Sequence, residues 1–312
     1  MIRRELLILA LISAPLICGE VFLRVSGSTI SQNIRTITQI PAQADDLQQA
    51  PRNDRALILG NSMTLRGLSP KGISDEFQDR TGREFTGQLI AMNGAYIAEW
   101  EWLLKNHFLR TSKMPTHLFL NCSPKGLADG IGITRRRIAL ISRWDDRYPY
   151  IPGNHALPSF GHKCEFVLSG SSVLFSRARA IGGVAVEKII PNHSVGADWV
   201  NRDLVSRNRT PQSPPKEPYV SLRTLIEDCG QGGTRVHVVL MPRQSIIPMP
   251  LELEYLLRNS GVSLIDFQNT LKWEPSDFRD GAHLSEAGRA KFTPIYTQAI
   301  IDAMSSDDDR AL

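Results

Sequence analysis

Residues 57–64, with the sequence Leu-Ile-Leu-Gly-Asn-Ser-Met-Thr, decide the fold that we expect. The apolar run before Gly60 is short and stops at this glycine, which predicts a buried strand followed by a turn. Ser62 follows at once, ahead of sequence that favours a helix. Ligands of open α/β folds bind at the carboxyl ends of the strands, so we expect the Ser62 hydroxyl at that edge of a sheet. A serine that only caps the helix is the alternative.

Strand-like apolar runs alternate with helix-like segments along most of the chain. The predicted strands are 55–59, 85–91, 117–120, 235–241 and 262–267, and the predicted helices are 68–80, 97–109, 220–229, 251–259 and 285–304. This alternation predicts an α/β fold, a three-layer sandwich in which helices cover both faces of a mainly parallel central sheet. Several runs are apolar throughout, as is typical of parallel strands that are buried on both faces.

A segment rich in Pro, Gly, Ser, Arg and Asn interrupts the alternation at about 125–218. We expect an insertion that carries short helices, one of them near 173–180. A long insertion of this kind is often a lid or a binding region, and a surface excursion is the alternative. The remainder is expected to fold as one domain, residues 54–305.

The first 25 residues have the composition of an export segment. Arg3 and Arg4 precede the apolar run 6–19, and no convincing cleavage site follows. This pattern predicts an N-terminal transmembrane helix at 1–25, a signal anchor that leaves the bulk of the chain outside. A cleaved signal peptide is the alternative. Both place the folded part in an extracytoplasmic location, periplasmic or at the cell surface, and the polar residues 26–53 are expected to be a linker.

The composition argues against several classes of function. The 312 residues carry a net charge of +4, which is too balanced to indicate nucleic-acid binding. None of the four cysteines forms a C-x-x-C pair, and no His or carboxylate cluster stands out, so we expect no metal site and no cofactor. One disulfide is compatible with an oxidising compartment, and buried free thiols are the alternative.

A second motif lies near the C-terminus, at residues 278–285, Phe-Arg-Asp-Gly-Ala-His-Leu-Ser. Asp280 stands three residues before His283, on a loop that leads into the last predicted helix. Serine is a poor nucleophile at neutral pH, and it needs an imidazole to take its proton and a carboxylate to orient that imidazole. One short segment can supply both groups. A surface histidine beside a helix cap at Ser285 is the alternative.

Together the two motifs resemble the SGNH/GDSL hydrolase superfamily, over residues 55–120 and 234–303. In that family a G-D-S-like block follows the first strand, and a D-x-x-H block lies near the C-terminus. The resemblance implies a flavodoxin-like SGNH hydrolase fold. It also implies that Ser62 is the nucleophile, His283 the general base and Asp280 its partner.

The resemblance extends to an oxyanion hole. The segment 91–95, Ala-Met-Asn-Gly-Ala, matches the family's second block, so the backbone N–H of Gly94 is an expected donor beside that of Ser62. The third block follows the third strand, where this chain has Asn121 as the only amide and Ser123 at the strict family spacing. We expect Asn121 as the third donor, with Ser123 as the alternative.

The chain departs from the family pattern at Asn61, where the family has an aspartate. Other residues compete for functional roles. Asp277 could replace Asp280, although it lacks the family spacing, and His237 lies within an apolar strand and is expected in the core. Arg243 follows the fourth strand, and it either faces the site, where it would bind an anionic substrate group, or is an exposed loop arginine.

The resemblance implies a serine esterase or acyltransferase that works through an acyl-enzyme. The expected substrate is an acylated envelope glycan or a small ester, because an anchor followed by such a domain resembles the layout of envelope O-acetylation and D-alanylation proteins. A membrane acyltransferase is a possible partner, and the N-terminal helix is the expected contact with the membrane. A lipase or lysophospholipase is one alternative. A non-catalytic scaffold or glycan-binding protein is the other, and the altered third block favours it.

Overall fold

The computed structural model of the chain describes residues 13–26, 32–51, 55–129, 135–142, 159–176 and 217–305. The chain divides into two compact units, Met1–Gln39 with Thr134–Lys216 and Ile40–Ile133 with Glu217–Leu312. The second unit contains the whole sheet and every residue that the sequence predicts for the site. The residues of the candidate site therefore all belong to this second unit.

In the part of the chain that the structure describes, the strands and the labelled helices have the following bounds. The strands are β1 Ala56–Gly60, β2 Gln88–Ala91, β3 His117–Cys122, β4 Arg235–Leu240 and β5 Ser263–Asp266. The labelled helices of the described part are α1 Gln32–Gln49, α2 Ser62–Gly67, α3 Pro70–Thr81, α4 Ile97–Leu104, α5 Arg135–Ile141, α6 Phe160–Ser171, α7 Val220–Gln231, α8 Leu251–Asn259 and α9 Glu286–Ser305. A π-helical turn, Lys105–Leu109, continues α4, and 3-10 turns lie at Pro124–Leu127 and Pro275–Asp277.

The sheet is parallel throughout, with the strand order β2-β1-β3-β4-β5. Every residue of β1 and of β3 is buried, which requires cover on both faces of the sheet. The predicted α/β class with a parallel central sheet is therefore confirmed. In this strand order the chain reverses its winding between β1 and β3, and the crevice at that switch point is where such folds bind ligands.

One face of the sheet packs against α3 and α9. The side chains of Ile58 and Phe119, which are register partners, form a buried cluster with Phe77 of α3 and with Phe292 and Tyr296 of α9. Burying each large apolar side chain stabilises the fold by roughly 1.5–3 kcal/mol. This layer therefore fixes the start of α9 relative to the end of β1, which are the two places that carry the motifs.

The segment 26–53, expected to be a linker, contains the helix α1. Its apolar side chains Ile40, Ala44 and Leu47 recur at spacings of four and three residues and are fully or almost fully buried. This is the spacing of a helix that buries one face. The polar residues Gln43, Asp45 and Asp46 between these positions, together with Pro41 inside the helix, conceal the pattern in the sequence.

The structure describes only part of the predicted anchor and of the predicted insertion in the smaller unit. Residues 1–12 of the predicted transmembrane helix lie outside the described residues, and 13–26 are helical. Within the described ranges, no helix has both the length and the apolar character needed to span a membrane. The described residues of the insertion in this unit, 135–142 and 159–176, contain α5, α6 and a helical turn at 173–176.

A carboxylate joins two segments of this smaller unit. Glu20 accepts hydrogen bonds from the backbone N–H groups of Val173 and Leu174, each at 2.9 Å, and from the Ser172 hydroxyl at 3.0 Å. The helix at 13–26 is thereby bound to the insertion at the start of its last described helical turn.

His237 lies in the core, as expected, and it is paired with a second buried histidine. Nδ1 of His117 lies 3.1 Å from Nε2 of His237, and the His237 ring stacks on Phe119 at 4.7 Å between ring centroids. Burial, with the nearby charge of Arg235, lowers the pKa of both rings to about 4. Because one ring must donate and the other accept in this hydrogen bond, the pair is stable only while it is not fully protonated.

Acid should therefore weaken the fold in a defined pH range. A histidine in the unfolded chain has a pKa of about 6.5, so below that pH both rings bind protons in the unfolded chain but stay neutral in the folded one. We expect the free energy of unfolding to fall as the pH drops from about 6.5 to about 4, where folded histidines begin to protonate. Urea unfolding midpoints measured at pH 7.5 and 5.0 test this expectation.

The double variant His117→Phe and His237→Phe should lose much of this pH dependence while remaining folded at pH 7.5. Phenylalanine has no titrating group, and Phe119 already provides an aromatic neighbour for such a ring. An equal loss of stability between the two pH values in the wild type and in the variant would assign the acid sensitivity to other groups.

Candidate active site

Ser62 lies at the first position of α2, directly after β1 and one intervening residue. The turn requires a glycine, because a Cβ on Gly60 would stand 1.9 Å from Oγ1 of Thr64. Asn61 is the N-cap of α2, and its side chain accepts the backbone N–H of Met63 at 3.0 Å. Asparagine and aspartate cap helices equally well, so Asn61 retains this structural role. The N–H of Ser62 has no acceptor within the helix, as at the start of every helix.

Asp280 and His283 lie on a closed loop that leads into α9. The backbone N–H of Arg279 donates to the carbonyl of His283 at 2.9 Å, which draws the two ends of the loop together. Ser285 then caps the helix, with its hydroxyl accepting the N–H of Gly288 at 3.2 Å. The predicted helix cap at Ser285 and the D-x-x-H motif are therefore both present in the same loop.

The structure brings Ser62, His283 and Asp280 together in one chain of hydrogen bonds. Nε2 of His283 lies 2.8 Å from Oγ of Ser62, and Nδ1 lies 2.9 Å from both carboxylate oxygens of Asp280. Asp280 can only accept from Nδ1–H, which leaves Nε2 to accept the serine proton. The arrangement can therefore move a proton from the hydroxyl to the imidazole.

The Asp280 carboxylate is held ionised by its neighbours. Its side chain is 53% exposed, against 24% for His283. Burial alone would raise its pKa, but the backbone N–H of Ala282, the His283 ring and the His283 backbone N–H hold the pKa below its usual value. The backbone N–H bonds of Ala282 and His283 to Oδ1 are each 2.9 Å long, so they also fix the position of the carboxylate.

Asp277, the competing carboxylate, is engaged elsewhere. It pairs with Lys291 at 2.7 Å and accepts the backbone N–H of Glu274 at 2.9 Å, and the bond to Lys291 is the main reason that its pKa is lowered. Its backbone lies against α9, where a Cβ on Gly288 would stand 2.1 Å from the Asp277 carbonyl oxygen. Asp277 thus holds the base of the loop that carries Asp280 and His283 against the last helix.

Gly94 lies in a tight turn just beyond β2. The turn closes with a hydrogen bond of 3.2 Å from the Ala95 N–H to the Met92 carbonyl, and Met92 N–H in turn bonds to the carbonyl of Gly60 at 3.0 Å. Gly94 has φ of 64°, a left-handed conformation that glycine adopts without strain. The turn is therefore tied to the strand that precedes Ser62, and Gly94 itself is exposed.

The two candidates for a third oxyanion donor lie in different surroundings. Asn121 pairs in register with Gly60, is fully buried, and accepts the Tyr296 hydroxyl at 2.9 Å through Oδ1. Its Nδ2 is buried without a partner. Ser123 follows the strand and is half-buried, and its hydroxyl has no hydrogen-bond partner among the described residues. Sequence reasoning missed Tyr296, whose signal is a tyrosine on the buried face of the last helix, where its O–H needs an acceptor.

Neither disulfides nor a metal cluster appear around these residues. All four cysteines of the chain are free thiols, with Cys122 and Cys229 buried. Burial raises the pKa of the Cys229 thiol to about 12 and that of Cys122 further still, so neither is a thiolate near neutral pH. Within the described ranges, no group of three or more His, Cys, Asp or Glu side chains is arranged to hold a metal ion.

Comparisons with known proteins found similarity in structure only. No family model matches the sequence, and no curated protein matches it either. A GDSL-like lipase from Bacteroides thetaiotaomicron is 10% identical with a TM-score of 0.38, covering 87% of this chain and 99% of its own. An acylhydrolase described as putative, from Bacteroides fragilis, is 12% identical with a TM-score of 0.39, covering 85% of this chain and 95% of its own.

A third similar structure is a catalytic mutant of an acetylxylan esterase from Geobacillus stearothermophilus. It is 11% identical with a TM-score of 0.37, and the match covers 82% of this chain and 96% of that one. Similarity at this level does not determine the activity of the chain.

Replacing Gly60 by alanine tests the nucleophile turn. The new Cβ would overlap the buried, β-branched side chain of Thr64, so the turn must open. Overpacking of this kind typically lowers the free energy of unfolding by about 1–3 kcal/mol. We expect a lower urea midpoint together with a displaced Ser62, which is read out as slower labelling by a fluorophosphonate probe.

Gly230→Ala is the matched control for this change. Gly230 is an exposed residue of α7, and a Cβ there would meet no atom within 4 Å. Alanine is a better helix former than glycine, so stability should be unchanged or higher. If Gly60→Ala left both the midpoint and the labelling rate at the wild-type values, the close approach of Thr64 would not constrain the turn.

Proposed function

We propose that the chain is an SGNH-type serine hydrolase that cleaves ester-linked acyl groups with Ser62, His283 and Asp280. The observation that carries this proposal is the 2.8 Å hydrogen bond between Oγ of Ser62 and Nε2 of His283. Two segments 221 positions apart meet there at the switch point of a parallel sheet. A serine that served only as a helix cap would not need an oriented imidazole, and the cap of α2 is already supplied by Asn61.

The proposed reaction proceeds through an acyl-enzyme. Nε2 of His283 takes the Ser62 proton as Oγ attacks the ester carbonyl, and Asp280 stabilises the imidazolium that forms. The same proton then passes to the leaving alcohol, whose C–O bond breaks and leaves the acyl group on Ser62. A water molecule, deprotonated by His283, attacks the acyl-enzyme, releases the carboxylic acid and restores the serine.

Backbone N–H groups are the proposed stabilisers of the tetrahedral oxyanion. The Ser62 N–H lies at the start of α2, and Gly94 N–H belongs to the exposed turn after β2. A third donor must be accessible to the substrate carbonyl. Accessibility favours the half-buried Ser123 hydroxyl over the expected Asn121, whose free Nδ2 is buried. Asn121 and Tyr296 would then support the floor of the site from within the core.

The sequence also suggests an acyl acceptor, a substrate, a cellular location and a partner, and these belong to the same proposal. Release of the acyl group to a sugar hydroxyl instead of water would make the protein an acyltransferase, and exclusion of water favours that outcome. An acylated envelope glycan, an extracytoplasmic location, an N-terminal anchor and a membrane acyltransferase partner rest on the sequence pattern alone. A scaffold without turnover is the alternative that the first experiment below separates.

A fluorophosphonate probe tests whether Ser62 is a live nucleophile. We expect stoichiometric labelling of the wild type at Ser62, no labelling of Ser62→Ala, and a loss of roughly a thousandfold or more in hydrolysis of 4-nitrophenyl acetate in that variant. Ser245→Ala, which removes an exposed serine from the loop after β4, is the matched control and should behave as the wild type. A folded wild-type protein that neither labels nor hydrolyses the ester would favour the scaffold role.

A pair of aspartate variants tests which carboxylate completes the triad. Asp280→Asn should reduce kcat by about a thousandfold or more, because an amide no longer holds the imidazole in the productive tautomer. Asp277→Asn removes the ion pair with Lys291 and should lower stability, while kcat changes by no more than severalfold. Steady-state kinetics and urea unfolding separate the two effects. Comparable kcat values for both variants would remove Asp280 from its proposed role.

A further inference from the structure

Arg243 reaches the same edge of the sheet as the nucleophile. Beyond the end of β4, the N–H of Met241 donates to the carbonyl of Cys122 at 3.2 Å, so the chain continues alongside β3. Arg243 comes two residues later and is half-buried. Because β3 is also the neighbour of β1, this position lies near the switch point at which Ser62 stands.

The guanidinium of Arg243 contacts the residue that follows the nucleophile. Its Nη1 lies 3.6 Å from Sδ of Met63, and its Nε is buried without a hydrogen-bond partner. A thioether is only a weak acceptor. In the part of the chain that the structure describes, no carboxylate lies within ion-pair distance of this guanidinium. A buried donor without a partner is costly, and a ligand that accepts from the Nε–H would remove that cost.

Other arginines of the described ranges show the contrast. Arg24, Arg80 and Arg258 are more exposed, and each pairs with a glutamate four residues away on its own helix. Such surface pairs are the ordinary way in which a guanidinium finds a partner. Arg243 is the less exposed side chain, and it has no such carboxylate. Its environment therefore differs from that of a solvated loop arginine.

The loop that carries Arg243 is fastened to the catalytic loop. The N–H of Gln244 donates to the carbonyl of Gly281 at 3.3 Å, between Asp280 and His283 in the chain. Further along, the N–H of Ile247 donates to the side chain of Gln268 at 3.1 Å. These contacts fix the backbone from which the Arg243 side chain extends, which reduces the cost of ordering the loop on binding.

We propose that Arg243 is a specificity-determining residue, which binds an anionic group carried by the ester substrate close to the scissile bond. Guanidinium recognises carboxylates and phosphates through paired, charge-assisted hydrogen bonds. The inference rests on the proposed function and narrows its substrate class to esters that bear a carboxylate or a phosphate. Arg243 takes no part in bond making, and its role is to hold the substrate so that the ester carbonyl meets Ser62.

Binding of unacylated anions tests the inference without any need for turnover. Isothermal calorimetry with methyl glucuronoside and with glycerol phosphate should show saturable binding of at least one of them to the wild type. The uncharged methyl glucoside and glycerol should bind at least about tenfold more weakly, the size expected of a charge-assisted hydrogen bond. The glucuronoside and the phosphate arms distinguish a carboxylate from a phosphate ligand.

Variants then assign the binding to this side chain. Arg243→Gln should remove the preference for the anion, to within about twofold of the neutral partner, and Arg243→Lys should retain part of it. Arg66→Gln is the matched control, since it removes an exposed arginine of α2 near the nucleophile. The inference would be overturned if Arg66→Gln reduced the preference for anions as much as Arg243→Gln, or if the preference persisted in Arg243→Gln. Either result would assign anion binding to the overall positive electrostatic potential of this surface.

Ester kinetics place the anion relative to the scissile bond. The ratio of kcat/KM for 4-nitrophenyl hydrogen succinate to that for 4-nitrophenyl butyrate measures the preference for a negative charge on the acyl side. The ratio for acetylated methyl glucuronoside to acetylated methyl glucoside measures the preference for a negative charge on the alcohol side. We expect a ratio of about ten or more in one pair for the wild type and near one for Arg243→Gln.

The outcomes separate the two proposals. Ser62-dependent cleavage of neutral esters with no preference for anions in binding or kinetics would sink the role of Arg243 and leave the hydrolase standing. Anion binding that depends on Arg243, without Ser62-dependent cleavage of any ester, would sink the hydrolase and leave an anion-binding site.

Discussion

The candidate site depends on the hydrogen bond between the Ser62 hydroxyl and the His283 imidazole, which is 2.8 Å long and joins residues 221 positions apart in the chain. Neither loop can make this contact by itself. β1 delivers the serine to the carboxyl edge of the sheet, and α9 brings the histidine to the same edge from the other end of the chain. The buried layer of Ile58, Phe119 and Phe292 sets the distance between these two elements. Packing in the core therefore determines whether the Ser62 hydroxyl and the His283 imidazole can meet.

Much of the site could be predicted from the sequence because its determinants are local. The apolar run before Gly60 indicates a buried strand, and the close approach of the Thr64 side chain leaves room only for a glycine at position 60. The spacing of Asp280 and His283 allows one loop to present both groups. The alternation of apolar runs with amphipathic segments predicts the parallel sheet. The sequence therefore predicts those features, the strands, the turns and the two motifs, that depend on residues close together in the chain.

The remainder depends on register and on neighbours far apart in the chain. The pairing of His117 with His237 follows from the register of β3 and β4, which no periodicity reveals. The bond from Tyr296 to Asn121 joins the last helix to the third strand, and it changes the interpretation of the third oxyanion donor. The helix α1 was not predicted because its four buried apolar residues, Ile37, Ile40, Ala44 and Leu47, lie in an otherwise polar segment that Pro41 interrupts.

A crystal structure of the protein after reaction with a small fluorophosphonate tests the central claim most directly. We predict phosphorus bonded to Oγ of Ser62, with Nε2 of His283 within hydrogen-bond distance of that oxygen or of its phosphonyl substituent. We also expect the phosphonyl oxygen to point at the backbone N–H groups of Ser62 and Gly94. Phosphorus on another side chain, or a His283 ring turned away from a modified Ser62, would contradict the role of Ser62 and His283.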